Sequence, residues 1–569
     1  MVGFCLGAVA CSDDDKDKPV YSPDGSIVYR DASTPATNID AGTFGLDAAA
    51  DAAPTTDFIG ADGGLLAKGP KGFETNAFPH DRGNAANGKA VFRSETFGNE
   101  GFWTDVVKLP QGLVTAGFTP VMALKAGFNI DVEKLDATTL AAVAKELKTD
   151  LSPANAPILN NPATTVALIN ANAVVGVVAK DSNGDGKIAV EGGADKVGVA
   201  CAMCHATTDG SAFALPMGGT IGKVIDGPAP HTLNVGATFA LAANTLALYP
   251  IAQLALDANG GKSIGRAPAG LNESPSHPLT EAEIDAYFNN PAYYPVGMFD
   301  DQPDGTGAPM HVTPMFAAAL SAPYGSEGTI AKLDNFSNLV YTALLDQRNL
   351  IQAGGRAFLH LLGGAAGDEI ADDYAAILAR TGVPTTPTVV GAAATPGQEA
   401  SPVGIRLDQT KLLDLSAFMD DLPAPAGKPG DPASIARGIK LFEQNCTSCH
   451  NVDQKHFVPS QLIAMKTIFP GDNPVDLGAR TPPLNDLLNT VDSIFDDKMV
   501  VVNASLRMDI RGIALPLLLD LDRKPVFLHD NSVPTLDALF DAARGPSAPH
   551  AVYLTGQDKT DVIAFLRSN

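Results

Sequence analysis

Cys446-Thr447-Ser448-Cys449-His450 places two thiols three positions apart with an imidazole directly after the second. Cys201-Ala202-Met203-Cys204-His205 repeats the pattern. C-x-x-C-H is the attachment signature of c-type haem. Each thiol adds across a haem vinyl group as a thioether, and the histidine falls beneath the iron as its proximal ligand. The competing chemistry is a pair of redox or zinc C-x-x-C motifs. Repetition of the whole five-residue pattern favours haem, and the two motifs use four of the 6 cysteines.

The elements that must position these residues are legible upstream. Asp431 can cap a helix, and Pro432 suits its first position. Ile435, Gly438, Ile439 and Phe442 then recur on one helical face, running straight into Cys446. Asn84 or Asn87 can open a similar helix, whose Gly88, Val91 and Phe92 repeat the spacing, although its C-x-x-C-H comes only after an insertion at about 97–196. A second repeat pairs Asp414-Leu415-Ser416-Ala417-Phe418-Met419 with Asp561-Val562-Ile563-Ala564-Phe565-Leu566. An amphipathic helix leading into C-x-x-C-H, closed by a later helix that packs across it, looks like a cytochrome c domain. The expected fold is mainly α: two enlarged cytochrome c-type domains in tandem, at 83–423 and 430–569, with long loops and a few short β hairpins.

With 569 residues and 45% hydrophobic content, the chain can bury sizeable cores. A net charge of -25 argues against nucleic acid and anionic lipid as partners. An acidic surface could dock a redox partner protein or small cytochrome. No apolar run is long enough to span a membrane. Residues 1–11 resemble the end of a bacterial lipoprotein signal, with Ala8-Val9-Ala10 before Cys11, which would be the lipidated residue. Residues 12–70 read as a disordered tether. This places the chain in the periplasm or cell envelope, as an outer-membrane lipoprotein if Cys11 is acylated, so that membrane contact is through that lipid alone.

Asp181-Ser182-Asn183-Gly184-Asp185-Gly186 is similar to the first half of an EF-hand loop, offering Asp181, Asn183 and Asp185 to calcium. The closing position holds Gly192 where a glutamate is needed, and a polar hairpin turn between two apolar strands is the favoured reading. Trp103 is read as a packing residue of the core or haem edge.

Two such domains, the second carrying Phe527-Leu528-His529-Asp530-Asn531-Ser532-Val533-Pro534-Thr535-Leu536, resemble the bacterial dihaem cytochrome c peroxidase superfamily, which includes the MauG-like and rubber-oxygenase-like oxidoreductases. The resemblance implies one haem with two protein ligands for electron transfer, and another that opens a site for peroxide or dioxygen. It maps the catalytic carboxylate to Asp334 or Glu327, and makes Tyr324 the nearest candidate for the aromatic residue between the haems. His205 and His450 are proximal ligands. His529 is the expected sixth ligand of the second haem, with Met508, His550 and Tyr553 as alternatives. His231 or Met217 could close the first haem. His80, His277, His311, His360 and His456 are assigned no role. Because Gly325-Ser326-Glu327 stands where the second domain has Leu528-His529-Asp530, the first haem is expected to be the reactive one. An electron-transfer cytochrome with both irons six-coordinate is the alternative function.

Overall fold

The computed structural model describes residues 82–254, 271–291, 294, 296–301, 309–318, 324, 332–393, 403–446, 518–528, 531, 533–546, 548 and 550–569, together with short strands at Val20–Tyr21, Ile27–Tyr29 and Thr37–Ile39. Cys11, Glu327, Cys449, His450, Met508 and His529 lie outside the described residues. The tether reading also falls outside them, save for those three strands.

The described chain is mainly α. Its helix Ala85–Ser94 starts where Asn84 accepts hydrogen bonds from the Ala86 and Asn87 amides, satisfying two donors that a helix start leaves open. It buries Gly88, Val91 and Phe92 and crosses the helix Gln409–Asp421. The contact is backbone to backbone, since a methyl group on Gly88 would sit 1.9 Å from the Asp414 carbonyl oxygen. Phe92 and Phe418 then meet at 5.3 Å between ring centres.

The same crossing occurs again. Helix Pro432–Asn445 is capped by Asp431, which accepts from the Ala433 and Ser434 amides, and has proline in its first turn. It crosses the helix Gly556–Arg567 with Gly438 against the Asp561 carbonyl, and Phe442 lies 5.2 Å from Phe565. The aspartate does equivalent work at both crossings. Asp414 accepts from the Asn84 amide at 2.6 Å, and Asp561 accepts from Ser434 and Arg437. Arg437 and then Ser434 hold the Asp561 carboxyl far below the usual range.

Between these pairs, one continuous apolar core runs from Phe102 to Leu412. Residues of the 97–196 stretch, including Trp103, Leu124 and Leu168, pack into it with Tyr249 and Tyr374. Trp103 lies on a short π-helical turn, Phe102–Val106, stacked 5.8 Å from Phe239. It is a core residue, as its reading required.

The strands are short. Val177–Lys180 pairs antiparallel with Lys196–Val199, and Ala206–Thr208 with Val224–Asp226. Asp181, Asn183 and Asp185 occupy the exposed turn between the first two strands. There the Asp181 carboxylate accepts from the Gly184 and Gly186 amides, and Asp185 from the Lys187 amide, so the turn's own backbone occupies these groups. Among the described residues, no group of three or more His, Cys, Asp or Glu side chains is placed to hold a metal ion.

The second crossing yields a test with a definite sign. In an open helix, Gly→Ala gains about 1 kcal/mol. At Gly438 the added methyl would stand 2.1 Å from the Asp561 oxygen, so overpacking costing about 1–3 kcal/mol outweighs that gain. Gly438→Ala is expected to lower the denaturation midpoint, and a raised midpoint would show that the helices do not cross there.

Candidate functional site

Strand Lys196–Val199 delivers the chain to Cys201, where a single helical turn, Ala202–His205, begins. The Cys204 and His205 amides both donate to the Cys201 carbonyl, which gathers both thiols and the imidazole on one turn. The turn rests on two glycines. Gly176, at φ +73°, accepts the Ala200 amide, and a methyl group there would be 2.0 Å from the Met203 nitrogen. Gly227, at φ +104°, donates its amide to the His205 carbonyl at 2.7 Å.

The imidazole is held by one bond. His205 Nδ1 lies 2.9 Å from the Thr313 carbonyl oxygen. A carbonyl only accepts, so Nδ1 carries the proton and Nε2 presents a lone pair. A backbone carbonyl on one imidazole nitrogen is the usual way to fix a metal-binding histidine's tautomer and orientation. Burial lowers the His205 pKa to about 4, with the Thr313 bond opposing, which leaves the ring neutral at pH 7 and able to ligate.

The thiols are as informative. Burial pushes Cys201 up to about 11, although its hydrogen bond with Tyr341 pulls the other way, and pushes Cys204 up to about 12, with Cys201 adding to the rise. Redox-active C-x-x-C pairs depend on a depressed thiol pKa. These thiols are shifted the opposite way. Cys201 Sγ is 3.4 Å from the Tyr341 hydroxyl, which donates to the Glu95 carbonyl at 2.9 Å. Tyr341 sits on the second π-helical turn, Val340–Leu344, the kind of bulge often found at functional sites. Around the turn lies an apolar cluster that includes Phe92, Val175, Met315, Leu333, Leu415 and Met419. Two thiols on one turn, a neutral imidazole with Nε2 open and an apolar wall fit a covalently held haem.

Other predicted residues fall as follows. Cys446 ends the helix Pro432–Asn445, its amide donating to the Phe442 carbonyl at 2.8 Å, and packs on the second crossing. Asp334 is buried and ion-paired with Arg406 through Oδ2, while its Oδ1 has no hydrogen-bond partner among the described residues. Tyr324 is buried in the same cluster as Leu333, and its hydroxyl donates to the Ala318 carbonyl at 3.2 Å. Burial first, then the Asp420 and Asp334 charges, raise its pKa well above the ordinary value. Met217 is 61% exposed on a turn closed between Leu215 and Gly219. His231 is buried with its ring 5.2 Å from that of His311, and burial first, then Lys524 and His311, lower its pKa far below the ordinary value. The Tyr553 hydroxyl donates to the Gly545 carbonyl.

Sequence reasoning missed Thr313, Tyr341, Gly176 and Gly227, and gave His311 no role. Thr313 and the glycines act through backbone, which leaves no side-chain motif. The glycine preceding the Val177–Lys180 strand was the one signal within reach.

No family model matches the chain, and no curated protein matches it. Among solved structures, the chain is similar to a hydrazine synthase from Kuenenia stuttgartiensis studied under xenon pressure, at 13% identity and a TM-score of 0.22, over 48% of this chain and 76% of that one. At that TM-score the likeness carries no argument.

The Asp334–Arg406 pair is open to direct test. Both side chains are under 5% exposed (4% and 3%), so removing one charge strands the other. Asp334→Asn is expected to cost about 3–5 kcal/mol of stability by denaturant unfolding. A loss under about 1 kcal/mol, the range of surface pairs, would mean that Asp334 is solvated and the pair is not buried.

Proposed function

We propose that this chain is an exported dihaem c-type cytochrome oxidoreductase, with one haem on Cys201, Cys204 and His205 and the other on Cys446, Cys449 and His450. The observation that carries the reading is the His205 ring, whose Nδ1 is committed to the Thr313 carbonyl and whose Nε2 is left to ligate, one residue after a thiol pair on the same turn. Bound haem iron supplies one-electron chemistry and, where an axial position is open, a place for peroxide or dioxygen.

The chain's own residues set the rest. Thr313 and Gly227 orient His205. Tyr341 packs against the thiol that forms the thioether. Asp334 offers Oδ1 for a proton, Arg406 fixes the carboxylate's position, and Tyr324, its hydroxyl bonded to the Ala318 carbonyl, stays neutral within reach of the Asp334 charge. Glu327 is the second carboxylate in this reading, and His529 the sixth ligand of the second haem. The repeated glycine–aspartate–phenylalanine crossing supports two cytochrome c-type domains in tandem and, with the Phe527–Leu536 segment, membership of the dihaem peroxidase superfamily. Export, with acylation at Cys11, belongs to the same reading, because haem c is attached outside the cytoplasm in that family. The partner is a redox protein or small cytochrome.

The electron-transfer alternative differs at one place, the distal side of the first iron. The oxidised protein is expected to show one high-spin and one low-spin haem and to bind cyanide at one iron. Two low-spin haems, with no cyanide binding before or after a cycle of reduction and reoxidation, would overturn the peroxide or dioxygen reading in favour of electron transfer alone.

A further inference from the structure

Three cations among the described residues are each neutralised by a carboxylate. Arg93 grips Asp226 through two nitrogens, Lys411 pairs with Glu95, and Arg406 pairs with Asp334. Lys524 has no carboxylate partner among the described residues. Its Nζ lies 3.4 Å from His311 Nε2 and 5.9 Å from the centre of the Phe527 ring. Burial alone pulls its pKa down to about 8. His311 Nδ1 is 2.9 Å from the Leu528 carbonyl and therefore carries the hydrogen, which leaves Nε2 to accept from Lys524. His231 completes the group: it is 6% exposed, and its Nδ1 has no hydrogen-bond partner among the described residues. A half-buried ammonium with no carboxylate partner, beside a buried imidazole nitrogen with no partner among the described residues, is a site that an anion would complete.

The place of this group indicates which anion. The two histidines come from the two segments that hold His205. Gly227, whose amide donates to the His205 carbonyl, leads into His231, and Thr313, whose carbonyl takes Nδ1, follows His311. Cys201 is held by other residues, Tyr341 and, through it, Glu95. A haem carries its two carboxylates on the ring edge away from the vinyl groups that the thiols take.

We propose that Lys524, positioned by His311, and His231 seat a carboxylate of the haem attached at Cys201 and Cys204, so that a lysine from the C-terminal part of the chain clamps the first haem. This rests on the haem reading above. It also gives the C-terminal segment a direct effect on the first iron, because a cation beside the haem disfavours the oxidised state.

The test is a spectroelectrochemical titration of the full chain with its haems attached. Lys524→Gln is expected to lower the potential of one haem, Lys524→Arg to retain it, and the exposed Lys145→Gln to leave both potentials unchanged. The same drop is expected in a Cys446→Ala/Cys449→Ala background, where only the first haem remains. If that background does not fold, the high-spin and low-spin electron paramagnetic signals assign the shift instead. A Lys524→Gln protein with both haems attached and neither potential moved would overturn the proposal, as would a drop confined to the second haem. A wild-type potential that shifts and saturates with added acetate would reassign the group to a free anion. Denatured protein without covalent haem would overturn the haem reading itself, and this one with it.

Discussion

The hydrogen bond between His205 Nδ1 and the Thr313 carbonyl is the constraint on which the rest of the site depends. A free imidazole exchanges tautomers and rotates: the first change takes the lone pair off Nε2 and the second turns it away. The bond reaches across 108 residues of sequence, so the tertiary fold must bring the 309–318 segment to the helical turn. Gly227 closes the other side through the His205 carbonyl, and the Gly227 carbonyl takes the Met315 amide, which ties the two clamping segments together. Burial then keeps the imidazole neutral and the thiols protonated. That state suits attachment to a cofactor better than thiol exchange.

The fold supplies rigidity through a device used twice. A helix brings its glycine onto an aspartate carbonyl of a later helix, the aspartate side chain ties the start of the first helix, and paired phenylalanines lock the angle. No single contact is strong. The close approach removes any freedom to slide, because a side chain at either glycine would collide with backbone.

Much of this was legible in the residues. Asn84 and Asp431 announced helix starts, the i, i+3, i+4 spacing gave the buried faces, and the Asp414 and Asp561 segments matched as internal repeats. Thr280 and Glu283, three positions apart, form the capping box that opens the helix Glu281–Phe288. The turn at 181–186 lies in the 181–195 connection between two paired strands. Other features were hidden for physical reasons. The Ala365–Thr381 helix carries its apolar residues among alanines and acids and announces itself weakly. The bond from Thr313 uses backbone, so the side chain at that position carries no information. His311 and Lys524 lie far apart in sequence, and only the fold brings them together. The resemblance points to Asp334 as a carboxylate without naming its partner, and the arginine that pairs with it comes 72 residues later.

The most direct measurement is the mass of the intact chain under denaturing conditions, after expression with haem attachment available. Two covalently added haems, falling to one in a Cys201→Ala/Cys204→Ala variant, is the result the account predicts. A chain that carries no haem, or whose haem count is unchanged when Cys201 and Cys204 are removed, would contradict it.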